Sequence, residues 1–139
     1  MPTTYLITGA NRGIGLEMAR QILKSGDRLH AVCRNPATAS ELNTIVKASQ
    51  GRGHVYKVDA CDEIALEKIA NTIQGSIDVL VCNAGVMSAR GGLDDPENTA
   101  SSVSNVLMTN IAGPFFTARA FIPQLQLSAT PKICIISSF

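Results

Sequence analysis

Three glycines in Thr8-Gly9-Ala10-Asn11-Arg12-Gly13-Ile14-Gly15 stand where a short apolar run gives way to an amphipathic one. Residues of these types at this spacing can hold a pyrophosphate. Gly9 permits a tight turn, Gly13 lets an anion approach the backbone, and Gly15 lets a following helix pack closely. A helix starting here aims its unpaired N–H groups and the positive end of its dipole at the anion. Thr8, Asn11, Arg12 and Ile14 complete the loop as candidate contacts. The spacing is G-x-x-x-G-x-G rather than G-x-G-x-x-G. An ordinary glycine-containing turn is the weaker reading, because this is the first such turn of an alternating chain.

The next apolar run selects the nucleotide. A protein that binds NAD places Asp or Glu about 20 residues beyond the loop, on the ribose 2′-hydroxyl. Leu29 to Asn35 contains no acid, and Arg34 stands 34 − 15 = 19 positions after Gly15. A guanidinium there can pair with the 2′-phosphate of NADP, and Arg12 can add a second positive group. The alternative for Arg34 is a solvated turn residue. The missing acid and the present base favour NADP(H) over NAD.

The elements that must position these residues are legible as strands alternating with helices. Strands are expected at Tyr5–Thr8, Leu29–Cys33, His54–Val58, Ile77–Cys82 and Lys132–Ser137. Helices are expected at Ile14–Lys24, closed by Gly26, and from about Thr38 to Ala48. A third follows an Asp62 N-cap, and a long one runs from about Ser101 to Gln126, bent at Pro114 and near Pro123. Ser88 to Asn98 reads as a surface loop with Asp94 and Asp95 solvated. The pattern calls for an α/β fold with a doubly wound parallel sheet of five strands, in one domain over residues 1–139.

Composition narrows the function classes. Hydrophobic residues make up 45% and charged residues 17%, with a net charge of +1 and no basic run, so no nucleic-acid or membrane partner is expected. The N-terminus carries no basic region followed by a long apolar stretch, and the expected location is cytoplasmic. Cys33, Cys61, Cys82 and Cys134 form no C-x-x-C pair. They are expected to be free thiols, buried where they fall in strands, with no metal site. His30 and His54 read as isolated strand residues.

Taken together, these motifs resemble the short-chain dehydrogenase/reductase family over nearly the whole chain. Thr8 to Gly15 matches the T-G-x-x-x-G-x-G loop. Asp59-Ala60-Cys61-Asp62 is similar to the segment after strand three, which implies that Asp59 contacts the adenine. Cys82-Asn83-Ala84-Gly85 resembles the N-N-A-G motif with Cys82 in place of the first Asn, and implies cofactor contacts at Asn83, Ala84 and Gly85. Asn110 matches the catalytic asparagine of the long helix. Ser138 in Ile135-Ile136-Ser137-Ser138 matches the serine that polarises a substrate carbonyl, with Ser137 the rival by one position. Asn110 could instead satisfy backbone groups at a helix distortion, and Asn83 could be a turn residue. Gly9 to Glu17 and Cys33-Arg34-Asn35-Pro36 are most similar to the C-factor and sniffer-like carbonyl reductase branch.

The resemblance implies an NADP(H)-dependent oxidoreductase that moves hydride between nicotinamide and a carbonyl or alcohol. It implies a small-molecule carbonyl substrate and a homo-oligomeric full-length protein. The family's Tyr-x-x-x-Lys acid pair has no match here. Tyr5 and Tyr56 are the only tyrosines, and four positions after them stand Gly9 and Ala60. The chain is therefore expected to be truncated before the pair and inactive alone. The alternatives are a nucleotide-binding regulatory or interaction protein without turnover, and a non-functional remnant. Ile133, Ile135, Val106 and Phe116 are expected to lie partly uncovered. Each unburied side chain forgoes roughly 1.5–3 kcal/mol of a margin of about 5–15 kcal/mol, so marginal stability or association follows.

Overall fold

The computed structural model describes residues 1–88 and 90–137. Five parallel strands form one sheet: β1 (Thr4–Thr8), β2 (Arg28–Cys33), β3 (Gly53–Lys57), β4 (Val79–Cys82) and β5 (Lys132–Ile135). Their spatial order is β3-β2-β1-β4-β5. The chain leaves β1 in one direction to build β2 and β3, then crosses back to place β4 on the other side of β1. Crossovers of one hand therefore put helices on both faces, which is the doubly wound arrangement expected from the alternation.

One face carries α1 (Gly13–Lys24) and α2 (Ser40–Lys47), the other α3 (Glu63–Thr72) and α5 (Gly113–Gln126). Ile7, Leu29, Ala31 and Val81 meet Leu16, Ala19, Leu23 and Leu42 on the first. Leu6, Val32, Leu80 and Cys82 meet Leu66, Phe121 and Leu125 on the second. Strand residues of both parities are thus buried, which explains why the central strands read as continuous apolar runs. Leu6, Leu29, Leu42 and Phe121 are wholly enclosed. Truncating any of these to alanine removes packing worth about 2–5 kcal/mol.

The local stop and start signals act as their chemistry demands. Gly26 takes φ +93° after α1, and the Asp27 N–H reaches back to the Ile22 carbonyl at 3.2 Å. That left-handed closure favours glycine. Asp62 caps α3 by accepting from the Ala65 N–H at 3.0 Å. A 3-10 turn at Pro36–Thr38 precedes α2, which delays the helix start to Ser40. Pro36 presets the turn but cannot continue a strand.

The expected single bent helix is instead two. α4 (Ala100–Leu107) and α5 are joined by a π turn at Met108–Ala112. Pro114 has no N–H to continue the α ladder, and the under-wound turn falls just before it. Pro123 does not interrupt α5, whose span continues to Gln126. Val103, Leu107, Ile111, Phe115 and Ile122 are exposed along this helical segment, and so are Ile133 and Ile135 on β5. Val106 and Phe116 are half-buried. No helix among the described residues is long and apolar enough to cross a membrane.

Three side-chain expectations need correction. Cys33 and Cys82 are buried and Cys61 half-buried, but Cys134 is exposed, because helices cover little of β5, all four of whose residues are exposed. Asp95 is not merely solvated: its carboxylate accepts from the Gly91 and Glu97 N–H groups at 3.0 and 2.9 Å and shapes the loop. His30 and His54 are not isolated. They are register partners on β2 and β3, with ring centroids 5.8 Å apart, and His30 Nδ1 lies 3.0 Å from the Tyr56 hydroxyl.

Burial lowers the His30 pKa from its ordinary 6.5 to about 4, with the neighbouring His54 adding to the effect. The folded chain thus prefers the neutral ring, while the unfolded chain takes up a proton more readily. This contribution to stability is fully present above pH 6.5 and is lost as the pH falls toward about 4. Denaturant unfolding across that window will show the decline, and His30→Gln will flatten it. An unchanged slope in the variant would assign the decline to other groups.

Candidate active site

The carboxyl ends of β1, β2, β3 and β4 open onto one cleft of about 450 Å³. It lies where the connections from β1 and β4 diverge, the place at which open α/β sheets take ligands. Thr8, Gly9, Asn11, Arg12, Gly13 and Ile14 line it from the first loop, and Arg34 from the end of β2. Asp59 lines it after β3, and Asn83, Ala84 and Gly85 after β4. Residues spread over most of the chain are thereby brought together.

The first loop is fixed by packing as well as by conformation. Gly9 and Gly13 adopt φ +65° and +56°, which disfavour any side chain. Around Gly13 the space a Cβ would take is open, so the backbone can be approached there. Gly15 faces the opposite constraint. A Cβ on it would collide with the Gly9 carbonyl oxygen and with the Asn83 amide. Gly15 does not line the cleft; it lets α1 begin directly beneath the turn. Arg12 occupies the N-cap position of α1 in an extended conformation and gives no side-chain cap. The first N–H groups of α1 are therefore left to a ligand or to water.

Two polar latches join this loop to its neighbours. The buried Thr8 hydroxyl accepts from the backbone N–H groups of Asn83 and Ala84 at 3.1 and 3.0 Å. The Asn83 side-chain amide donates to the Gly9 carbonyl at 3.1 Å. Thr8 and Asn83 thus hold β1 and β4 loop ends together, a positioning role that the motif alone did not reveal. The Ala10 N–H donates to Val32 and fastens the turn to β2 at 3.3 Å.

Asn110 sits inside the π turn. Its amide spans one residue, accepting from the Val86 N–H at 2.9 Å and donating to the Val86 carbonyl at 2.8 Å. The side chain satisfies backbone groups at a helix distortion, and by doing so it sets the wall that follows Gly85. Asn110→Ala will leave both Val86 groups to solvent, at a cost of about 1 kcal/mol. Amide hydrogen exchange at Val86 should accelerate clearly more than at Leu80; equal changes would refute the clamp. Ser138 lies outside the described residues; Ser137 follows the end of β5.

Arg12 and Arg34 are exposed on the cleft rim, and Asp59 is exposed on its floor. The Asp59 carboxylate accepts from the Cys61 N–H at 2.9 Å. Burial raises the Cys33 thiol above its ordinary value and pushes Cys82 up to about 11. Neither buried thiol is a nucleophile at neutral pH. Among the described residues no cluster of His, Cys, Asp and Glu is suited to a metal ion. The sequence reading missed Val32, Cys33, Asn35, Val58, Ala60, Val86 and Thr109 as lining residues. Asn35 and Val86 adjoin recognised motifs. Thr109 carried no signal, because α-helical spacing turns it away from the direction of Asn110.

The chain spans about half the length of the curated relatives it matches. A tropinone reductase homologue of Arabidopsis thaliana is 29% identical over 97% of this chain and 51% of its own length. A metagenomic short-chain oxidoreductase solved in complex with NADP superposes with a TM-score of 0.83 at 26% identity, over 99% of this chain and 62% of that one. An NAD+-bound xylitol dehydrogenase shares the fold, with a TM-score of 0.87 at 24% identity over 98% of this chain and 53% of that one. The family model for short chain dehydrogenases matches residues 3–139, and the chain with this glycine loop, cleft and sheet order belongs to that family.

Proposed function

We propose that this chain forms the nucleotide-binding part of an NADP(H)-dependent oxidoreductase acting on a carbonyl or alcohol. The observation that carries the reading is the joining of the glycine loop and two arginines in one cleft, with no acid at the end of β2. The cleft suits a dinucleotide: Gly13 is open, Gly15 allows α1 to start under the turn, and the α1 N-terminus has no side-chain cap. When bound, a nicotinamide dinucleotide supplies the hydride donor or acceptor. The protein's task is then to bind, orient and exclude.

In this reading the first N–H groups of α1 hold the pyrophosphate, and Arg34 with Arg12 holds the 2′-phosphate through charge-assisted contacts. Asp59 receives the adenine, while Ala84 and Gly85 border the path toward the nicotinamide. Thr8, Asn83 and Asn110 keep the walls at their spacing. Ser138 is assigned the substrate carbonyl, whose oxygen gains negative charge as hydride arrives and is stabilised by a donated hydrogen bond. An acid must then protonate that oxygen, and no Tyr-x-x-x-Lys is present in this sequence to do so. The chain alone binds without turnover, and the substrate is a small carbonyl compound of the kind taken by carbonyl reductases.

Calorimetric titration of the chain with NADPH and NADH tests the reading. Tighter binding of NADPH is expected, with no oxidation of it in the presence of simple ketones. Failure to bind either dinucleotide would sink the proposal, and a preference for NADH would overturn its cofactor assignment.

A further inference from the structure

The floor of the cleft contains a contact that the nucleotide reading does not use. Thr109 lines the cleft, and its hydroxyl lies 3.5 Å from the Cys61 thiol, which is 48 positions away in the chain. Cys61 in turn donates its backbone N–H to the Asp59 carboxylate at 2.9 Å. Burial raises the thiol pKa, the Thr109 hydroxyl opposes this, and the nearby Asp59 carboxylate adds to it. The thiol is therefore protonated at neutral pH and able to donate. Gly113, which follows the π turn, is buried, and a Cβ there would lie in ordinary contact, 3.5 Å from the Ala60 carbonyl oxygen. The π turn thus packs on the Asp59–Cys61 segment as well as on Val86.

The placement has a physical origin. Neighbouring residues of an α-helix point in well-separated directions, so two in succession seldom serve one cleft. The under-wound turn at Met108–Ala112 lets Thr109 line the cleft while its neighbour Asn110, which does not, reaches the Val86 backbone of the cleft wall. Asn110 holds the loop after β4, and Thr109 meets the loop after β3.

We propose that Thr109 and Cys61 form a hydroxyl–thiol brace that sets the Asp59 carboxylate for the exocyclic amine of the purine, making Thr109 a positioning residue for base selectivity. This rests on the nucleotide reading above. A carboxylate held at a fixed place accepts from the amine of adenine and repels the carbonyl oxygen of hypoxanthine. Loosening the brace costs affinity for the first and relieves the penalty against the second.

The test compares NADPH with its hypoxanthine analogue on the full chain, wild type against Thr109→Val, Thr109→Ser and Cys61→Ala, with melting curves for each. Wild type should prefer NADPH. Thr109→Val should weaken NADPH about fivefold, the worth of one neutral hydrogen bond, and shrink the preference for adenine. Thr109→Ser should restore both, and Cys61→Ala should reproduce the valine variant without adding to it when the two are combined. Equal losses for both dinucleotides in Thr109→Val, or no loss, would overturn the brace while leaving the nucleotide reading intact. If Thr109→Val melts early, Cys61→Ala carries the comparison by itself. Wild type binding neither dinucleotide would instead refute the underlying reading.

Discussion

Gly15→Ala will lower stability by about 3 kcal/mol, the upper end for overpacking, or on the order of 10 °C in melting temperature. The added methyl has nowhere to go. Its obstacles are the backbone carbonyl oxygen of Gly9 and the amide of Asn83, which is itself fixed on that carbonyl. Relief requires α1 to move away from the sheet, which also displaces the N–H groups proposed to hold the pyrophosphate. NADPH binding should therefore vanish together with stability. Gly13→Ala makes the matched comparison. Its cost is conformational only, roughly 1–2 kcal/mol for a left-handed residue, since nothing stands within 4 Å of the new atom. Thermal melts of the pair decide the point: if Gly13→Ala proves the more damaging, the packing account of the loop is wrong.

Arg34→Ala should weaken NADPH between about tenfold and about a hundredfold, as expected for charged hydrogen bonds worth about 1.5–3 kcal/mol. NADH, which lacks the 2′-phosphate, should bind as before. Arg34 is exposed and has no carboxylate partner among the described residues' salt bridges, so its removal leaves no buried charge behind. Arg34→Asp should go further and reverse the preference, since an acid at this place can accept from a ribose 2′-hydroxyl. The loss should diminish as salt is raised, because the contact lies on an exposed rim. Calorimetry with both dinucleotides reads all of this, and parallel losses for NADPH and NADH would remove Arg34 from the 2′-phosphate.

What the sequence revealed, and what it hid, follows from the range of the forces involved. Gly26, Asp62 and the glycine loop were legible because each meets a need of its immediate neighbours: a left-handed closure, an unpaired N–H, a tight turn. The alternation of strands and helices gave the fold class for the same reason. Thr8 was recognised as part of a motif, but its bonds run to residues 75 and 76 positions away and could not be read locally. The pairing of His30 with His54 depends on strand register, which neither strand specifies alone. Pro114 announced a distortion of the long helix, yet not that the turn before it would be under-wound or that Thr109 would reach the cleft. Cys134 was misjudged because an apolar strand looks the same whether or not helices cover its faces.

The latch between Asn83 and Gly9 also bears on when the cleft can exist. Its partners are separated by 74 positions, and the clamp of Asn110 on Val86 requires a further stretch of chain to be in place. Closing so long a loop must precede any return from the contact, and parallel pairing of β1 with β4 depends on the same closure. A growing polypeptide thus carries its complete glycine loop for some time before it has a place for a nucleotide. That place arises only after residue 83 has been made and has come back to β1.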